Sequence, residues 1–425
     1  MTHVGETSVP TTTGPLAAHL EHSSIVLEHL VTHGPATRSE LATATGLGRG
    51  AIAGLTSRLI EAGILRAAEH DPTGDGRATP LSLSAADHVL VTTLIRPDEA
   101  VATIASLSGV ELSRFAVPVA GEDADSAPEG DGAPSVPASV RVLDAVSIAL
   151  GRALAQAERS GHPIADVTVL VDGAVAGTPP VVVTDARLGA EPVDVLGELR
   201  ARMPALTEVE PALLLPLALQ PAALAAAVAE RGLLPGVDDV LYIAGDTGVA
   251  AAAIVGGVPL HGAHGLAATF GHLPVMQGGV RCECGQHGCL ATVAAPEVVL
   301  ERAGLDAFAD VHGHGAALEE LVARVAAAED RARWSWLDAA LWIGRALQVV
   351  VPAIDPAVVV VGGYWSQLIS DIDTAYRSNR PTIGGGVLAS IPPIAAGRVG
   401  TDAALVGARR RARERLVAEP LLLAG

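Results

Sequence analysis

Residues 282–289 read Cys-Glu-Cys-Gly-Gln-His-Gly-Cys and contain all three cysteines of this 425-residue chain. His272 lies ten positions before the first of them. Three thiolates and a neutral imidazole suit tetrahedral Zn²⁺, and a site whose four positions are filled by protein leaves none open for water. The glycines let the chain double back between the ligands. The stretch therefore predicts a structural zinc site, against the alternative of three reduced thiols in a turn.

The composition limits the possible partners. The chain has a formal net charge of −19 and contains no lysine, so every fixed positive charge is an arginine. This charge argues against a protein that coats nucleic acid by bulk electrostatics, but it permits a local DNA-reading element. The N-terminus lacks the basic start and apolar core of a signal peptide. The longest apolar stretch, from Pro211 to Ala229, is interrupted by Pro216, Gln220 and Pro221. We expect a cytoplasmic protein.

Residues 21–84 have the pattern of a small DNA-binding domain, after a segment 1–20 that we expect to be disordered. An apolar stripe at helical spacing precedes a second helix, where Thr37 and Glu40 have the spacing of a capping box. A glycine turn leads to a third helix over about 49–62, and two short strands flank a hairpin tip. Three helices closed by a ribbon indicate a winged helix-turn-helix. The alternative is a helical adaptor that binds no DNA.

The candidate DNA contacts are polar side chains on this domain. Arg49 is the best candidate for a guanine edge, because its helix is otherwise rich in glycine and alanine, which carry no donors. At the wing tip, Arg77 is placed to enter a minor groove. Thr56, Ser57 and Arg58 are better suited to phosphates, and Arg38 completes the set.

From residue 85 to the C-terminus, at 425, short β-rich runs alternate with alanine-rich helices, as in an α/β domain of two lobes. The predicted strands are 89–94, 101–106, 167–171, 240–244, 250–255 and 358–361, and two predicted helices are 222–230 and 337–350. Residues 121–138 interrupt this pattern with five acidic residues, three prolines and no basic residue. We interpret them as an acidic surface loop.

The cysteine cluster, the preceding Gly271-His272 pair and the N-terminal helix-turn-helix together resemble the ROK family of repressors and sugar kinases. More narrowly, the chain is similar to its transcriptional regulators, which join a winged helix-turn-helix to a two-lobed, sugar-kinase-like domain of the actin-like ATPase fold. The resemblance implies that a structural zinc ion is bound by His272, Cys282, Cys284 and Cys289. It also implies a homodimer, or a dimer of dimers, on a palindromic double-stranded operator.

The sequence departs from the family pattern where the kinases hold and activate a sugar. Pro221 and Ala222 occupy the positions of an Asn-Asp pair that supplies a sugar contact and the catalytic base. Neither residue can hydrogen-bond a hydroxyl or accept its proton through a side chain. Thr269 and Ala291 occupy the positions of two glutamates that grip neighbouring sugar hydroxyls. We expect the sugar site to be degenerate.

The two phosphate turns of the kinases are altered as well. Glycines normally let backbone N–H groups approach the phosphates there. Here residues 94–97 read Leu-Ile-Arg-Pro, and residues 246–252 read Asp-Thr-Gly-Val-Ala-Ala-Ala. We therefore expect a DNA-binding regulator that is not an enzyme and does not respond to ordinary monosaccharides. The alternatives are a sugar-sensing repressor with an altered pocket, a regulator with a protein or non-sugar ligand, and an active sugar kinase.

Overall fold

The computed structural model describes residues 15–68, 79–119, 137–185, 187–189, 191–267, 269–378 and 392–424. The chain forms two compact units. The first comprises Met1–His88, Ser106–Val110 and Ala412–Gly425, and the second comprises Val89–Ala105 and Glu111–Arg411. The domain boundary between residues 84 and 85 stays a prediction.

The first unit has the winged helix-turn-helix arrangement expected from its sequence. Its elements are α1 (Pro15–His33), α2 (Arg38–Thr45), α3 (Arg49–Glu61) and the antiparallel strands β1 (Leu65–Ala67) and β2 (Leu81–Leu83). The capping box is present, because the Thr37 hydroxyl accepts from the Glu40 N–H and the Glu40 carboxylate accepts from the Thr37 N–H. Gly46 ends α2 with φ 71°, a left-handed conformation that suits glycine.

The start of α1 differs from the sequence prediction. The segment 1–20 was expected to be disordered, but α1 begins at Pro15. Leu16, Ala17 and Ala18 are strong helix formers, so they extend the helix ahead of its apolar stripe. The sequence prediction placed the start of the helix by its apolar stripe alone and did not take helix propensity into account.

The second unit contains two separate five-stranded sheets whose strands are arranged in the same way. Its strands are β3 (Val89–Ile95), β4 (Glu99–Ser106), β5 (Glu111–Pro118), β6 (Ile164–Val171), β7 (Val175–Ala176), β8 (Val181–Val182), β9 (Ala218–Pro221), β10 (Val240–Gly245), β11 (Ala250–Val255), β12 (Val258–Pro259), β13 (Val358–Gly363) and β14 (Ile394–Ala396). The orders are β5-β4-β3-β6-β9 and β12-β11-β10-β13-β14. In each sheet the last two strands of the order are parallel to the central one. Each sheet is the centre of one lobe, as in an actin-like ATPase fold.

Helices cover the sheets and fill the space between them. They are α4 (Ala138–Arg159), α5 (Val195–Arg202), α6 (Pro204–Val209), α7 (Ala222–Arg231), α8 (Ala291–Ala294), α9 (Pro296–Ala303), α10 (Asp306–His312), α11 (His314–Ala326), α12 (Asp330–Ile354), α13 (Ile369–Ser378) and α14 (Ala403–Ala418). Buried residues of α7 and α14 pack against both sheets. A helix between two sheets has no solvent side, which accounts for the run of alanines in α7.

All six predicted strands are present, as β3, β4, β6, β10, β11 and β13. The helix predicted at 337–350 is part of α12, which begins earlier because Ala332 and Trp336 continue its buried face. Residues 121–136 of the predicted acidic loop lie outside the described residues, and Ala138 already belongs to α4.

Among the described residues, α12 alone is long and apolar enough, by length and composition, to cross a membrane. Its inner face, with Trp336, Ala339 and Ile343, is buried in the core of the second lobe. This packing is a sufficient reason for its apolar composition.

Candidate DNA-binding surface, metal cluster and interlobe cavity

The four residues predicted to bind zinc lie together, each with one ligand atom within 4.8 Å of the others. The Sγ atoms of Cys284 and Cys289 are 3.6 Å apart, and the Sγ of Cys282 is 3.5 Å from Nδ1 of His272. Two sulfurs on a tetrahedral ion with Zn–S bonds of about 2.3 Å are separated by about 3.8 Å. Burial lowers the pKa of His272, which leaves a neutral imidazole. The donor set and its spacing fit a metal ion bound by protein alone.

Two glycines give the metal loop its shape. Gly285 and Gly288 have φ values of 89° and 73°, and a Cβ on Gly288 would collide with the carbonyl oxygen of Met276. The loop folds back on the preceding segment, where the Leu290 N–H donates to the Leu273 carbonyl at 2.8 Å. The cluster therefore fastens the segment that carries His272 to the start of α8.

The predicted DNA contacts fall into three groups. Arg38 and Arg49 begin α2 and α3, are exposed, and line one surface depression with Ser39 and Thr79. Ser57 and Arg58 are exposed on α3. Arg77 lies outside the described residues. The structure thus brings Arg38 and Arg49 to one surface.

Thr56 was wrongly assigned as a phosphate contact. Its side chain is completely buried, because it shares the inward face of α3 with Ile52 and Leu59. Its hydroxyl donates to the Ile52 carbonyl at 2.8 Å and accepts from Nε of Arg38 at 2.9 Å. Thr56 therefore orients Arg38 from beneath and does not face solvent.

A cavity of about 310 Å³ lies between the lobes of the second unit. The turn between β3 and β4 lines one part of it, and Asp246 and Thr247, after β10, line another. Ala222 is a lining residue, whereas Pro221, Thr269 and Ala291 are not. Pro221 precedes α7, the Thr269 hydroxyl donates to the Leu266 carbonyl, and Ala291 begins α8. Only one of the four predicted sugar-site positions therefore faces this cavity.

Arg96 lies in the turn between β3 and β4, where an altered phosphate turn is expected from the sequence. Its guanidinium donates to the Thr401 carbonyl at 3.2 Å, to Asp402 at 2.7 Å and to Glu99 at 3.2 Å. Asp402 also accepts from Arg114 at 2.6 Å. These hydrogen bonds thus connect the turn to the residues just before α14.

Two carboxylates line the cavity at the ends of central strands. Burial raises the pKa of Asp172 to about 6, although Nη2 of Arg187 lies 3.0 Å from its Oδ2. Burial also raises the pKa of Asp246, whose Oδ1 accepts from the Tyr364 N–H at 3.2 Å. Nε2 of His314 lies 2.7 Å from the Asp246 carbonyl oxygen. The cavity is therefore acidic at the end where strands β6 and β10 finish.

Comparison with known proteins decides the family. The sequence model of the ROK family matches residues 138–411, which are more than half of the chain. The chain belongs to the ROK family. ROK proteins include both kinases and regulators, as the individual relatives illustrate.

Two curated ROK relatives differ in activity. The glucokinase of Halalkalibacterium halodurans is 34% identical over 143 residues, which cover 31% of this chain and 43% of that protein. The DNA-binding transcriptional repressor Mlc of Escherichia coli is 29% identical over 135 residues, which cover 31% of this chain and 33% of the repressor. The chain therefore spans less than half the length of these two relatives.

One solved ROK structure has the same fold over nearly the whole chain. It is a ROK family transcriptional regulator described as a homologue of the Escherichia coli Mlc protein. The TM-score is 0.68 at 18% identity, with coverage of 95% of this chain and 98% of that one. At this identity the likeness establishes the ROK fold with its N-terminal unit.

The sequence predictions included Arg96 and Asp246 but missed other polar residues of the cavity, among them Asp172, Tyr242 and His314. Asp172 directly follows the predicted strand 167–171, and the carboxyl ends of parallel strands commonly carry ligand-binding residues. This signal was available. Tyr242 lies within an apolar strand, and His314 follows a glycine in a segment with no motif, so neither had a comparable signal.

Proposed function

We propose that this ROK protein is a DNA-binding transcriptional regulator with a structural zinc ion and without sugar-kinase activity. The observation that carries the proposal is the convergence of Arg38 and Arg49 on one depression of the winged helix-turn-helix. Both arginines stand in the first turn of their helices, where backbone N–H groups and the helix dipole also attract anions. Two cationic side chains and two helix N-termini suit a DNA phosphate backbone.

In this proposal, α3 enters the major groove. Arg49 contacts a guanine edge or a neighbouring phosphate, and Ser57 and Arg58 contact phosphates along the same helix. Arg38 is oriented by the buried Thr56 hydroxyl. Arg77 reaches the minor groove from the wing. Because α3 carries few base-reading side chains, discrimination rests largely on DNA shape and on the spacing of two half-sites.

The absence of kinase activity follows from side-chain chemistry. Pro221 and Ala222 supply no catalytic base, and Thr269 and Ala291 supply no carboxylates for sugar hydroxyls. Each lost charged hydrogen bond is worth about 1.5–3 kcal/mol. We expect glucose, N-acetylglucosamine, mannose and xylose to leave the melting temperature and the DNA affinity unchanged at millimolar concentration.

We propose a homodimer that matches a palindromic operator. An exposed stripe on α12 is suited to self-association, with Trp334 77% exposed and Val349 65% exposed, and with Leu337 and Leu341 between them. These positions recur at helical spacing on one face. Large apolar side chains on one outer helix face favour burial against a second copy. Pairing of dimers would give the alternative tetramer.

His272 and the three cysteines would hold Zn²⁺, which supports folding and supplies no reactive position. The donor chemistry and the sulfur spacing support this identity. We place the protein in the cytoplasm, where thiols remain reduced and operators are accessible.

The test is binding of purified full-length protein to genomic DNA fragments, beginning with the promoter of its own gene, followed by footprinting. We expect a protected palindrome. Arg152→Ala, which removes an exposed arginine of α4, serves as the matched control for Arg49→Ala. A protein that protects no duplex at low salt in a genome-wide screen would contradict the proposal.

A further inference from the structure

The interlobe cavity carries an excess of negative charge. Its lining residues include four carboxylates and one arginine, namely Asp98, Glu99, Asp172, Asp246 and Arg96. Most of the remaining lining residues are apolar, with alanine the most frequent, and the other polar ones are Tyr242, Thr247, His314 and Thr401. A cavity of about 310 Å³ is at the lower end of the range for small-molecule sites, about 300–1,000 Å³.

Two of these carboxylates already form hydrogen bonds or an ion pair within the protein. Asp98 accepts from the N–H groups of His314 and Gly315, at 3.1 and 3.2 Å, and so caps α11. Glu99 lies 3.2 Å from Nη1 of Arg96. These contacts leave Asp172 and Asp246 as the carboxylates with capacity to meet a ligand.

Asp246 is the less compensated of the two. Asp172 has Arg187 as an ion-pair partner, whereas among the described residues Asp246 has no such pair and is influenced only through space by His314 and Arg96. Its carboxylate accepts one backbone N–H, from Tyr364. A largely buried carboxylate needs further hydrogen bonds or an opposite charge to remain ionised.

Tyr242 supplies a second unsatisfied polar group. Its side chain lines the cavity and is only 5% exposed. Within the described part of the chain its hydroxyl has no hydrogen-bond partner. Burial, together with the nearby Asp246, raises the pKa of Tyr242, so the phenol stays protonated and can both donate and accept. Because this hydroxyl lines the cavity without a protein partner, it is available to bond a ligand group there.

Another part of the cavity lining is apolar. Ala222, Ala223 and Ala226 of α7 line the cavity, and Leu94 and Leu318 close it from neighbouring elements. Alanine methyl groups leave room for an aliphatic body but offer it no hydrogen bonds. A sugar, with hydroxyls on every side, would leave several of them without partners.

We propose that this cavity binds a small organic cation, with a compact aliphatic body against α7 and an ammonium group between Asp246 and Tyr242. An anion is disfavoured, because the guanidinium of Arg96 is already engaged by Glu99 and Asp402. The inference goes beyond DNA binding and does not depend on it. It assigns a cation to the region where kinase relatives would place phosphates.

The test is calorimetric titration of the full-length protein with three compounds of one carbon body. Cyclohexylmethylamine is positive, cyclohexylmethanol is neutral and cyclohexanecarboxylate is negative at pH 7.5. We expect the amine to bind at least ten times more tightly than the alcohol, and the carboxylate to give no binding heat. Equal affinities, a preference for the carboxylate, or no binding by any of the three at millimolar concentration would overturn the proposal.

Substitutions of the two proposed contact residues test whether the amine binds in this cavity. Asp246→Asn keeps the acceptor for the Tyr364 N–H and should remove the advantage of the amine over the alcohol. Tyr242→Phe keeps the ring and should weaken the amine several-fold, which provides a second variant if the first fails to fold. Asp338→Asn, on α12, is the matched control and should leave all three titrations unchanged. An amine preference that survives in both cavity variants would refute the site.

DNA retention is measured on the same preparations without any amine. Loss of DNA binding with intact amine binding would count against the regulator proposal alone. Intact DNA binding without amine selectivity would count against the cavity proposal alone.

Discussion

Arg96 and Asp402 join the turn after β3 to the residues just before α14 through a 2.7 Å hydrogen bond between Nη2 and Oδ1. Burial acts to raise the pKa of Asp402, but Arg114 and Arg96 outweigh it and hold that pKa below its ordinary value. An ionised Asp402 in turn keeps Arg96 engaged. The turn between β3 and β4 therefore contains an arginine side chain that is paired within the protein.

This arrangement leads to the first prediction, that the protein does not phosphorylate hexoses or amino sugars with ATP. Ala222 offers no proton acceptor, and Arg96 and Asp246 change the phosphate turns. A coupled assay over a sugar panel should remain at background, with a ROK glucokinase as the positive control. Turnover that scales with protein through repurification and disappears in Asp246→Asn would show that Asp246 has become the base.

The second prediction concerns the metal. Protein purified without added zinc should contain one tightly bound zinc ion per chain, because four protein ligands converge there. Cys284→Ser should lose the metal and lower the melting temperature, since metal binding and folding are coupled. Elemental analysis measures the metal content, and calorimetry measures the melting temperature. Asp310→Asn, on the exposed surface of α10, is the control for an exposed substitution, and full metal content in Cys284→Ser would refute the ligand assignment.

The third prediction concerns base recognition. Arg49→Ala should cost about 1–3 kcal/mol of binding free energy at one operator position and relax the base preference there. Arg38→Ala should weaken binding to all sequences similarly and reduce its salt dependence, as expected for a phosphate contact. Arg152→Ala should change neither. Fluorescence anisotropy with single-base operator variants measures these effects, and an unchanged base preference in Arg49→Ala would argue for a phosphate role.

The fourth prediction concerns self-association. Trp334→Glu should shift the protein toward monomer, because a charge replaces the most exposed aromatic side chain of the α12 stripe. Val311→Glu alters a side chain of similar exposure on α10 and is the matched control. Light scattering after gel filtration gives the mass. An identical dimer in both variants would place the interface elsewhere.

The fifth prediction uses the raised pKa of Asp172, about 6. The folded protein binds this proton more tightly than the unfolded chain, so stability falls as pH rises from about 4 to 6. Asp172→Asn lacks this loss and should become more stable relative to wild type over that range, by about 1–3 kcal/mol. Denaturation curves across pH measure the difference. Asp310→Asn, an exposed substitution on α10, should show no such trend, and a constant offset for Asp172→Asn would contradict the assignment.

The sequence predicted elements with strong local patterns and missed those defined by distant contacts. The strands in apolar runs, the capping box at Thr37 and the four-residue metal cluster were found because each has a short-range signature. Thr56 was misassigned because a polar residue was assumed to be exposed, whereas helical periodicity places it inward with Ile52. Asp172 was missed because it meets Asp246 only after the two lobes have assembled.

All four metal ligands come from the single segment 272–289, which affects the order of events during synthesis. A short loop costs little entropy to close, so the site can assemble as soon as this stretch has left the ribosome. At that moment α12, β13 and α14 have not yet been translated. With the proposed zinc site, a cell short of zinc would lose newly made chains before it strips finished ones, and the supply of this protein would follow metal availability with the delay of protein turnover.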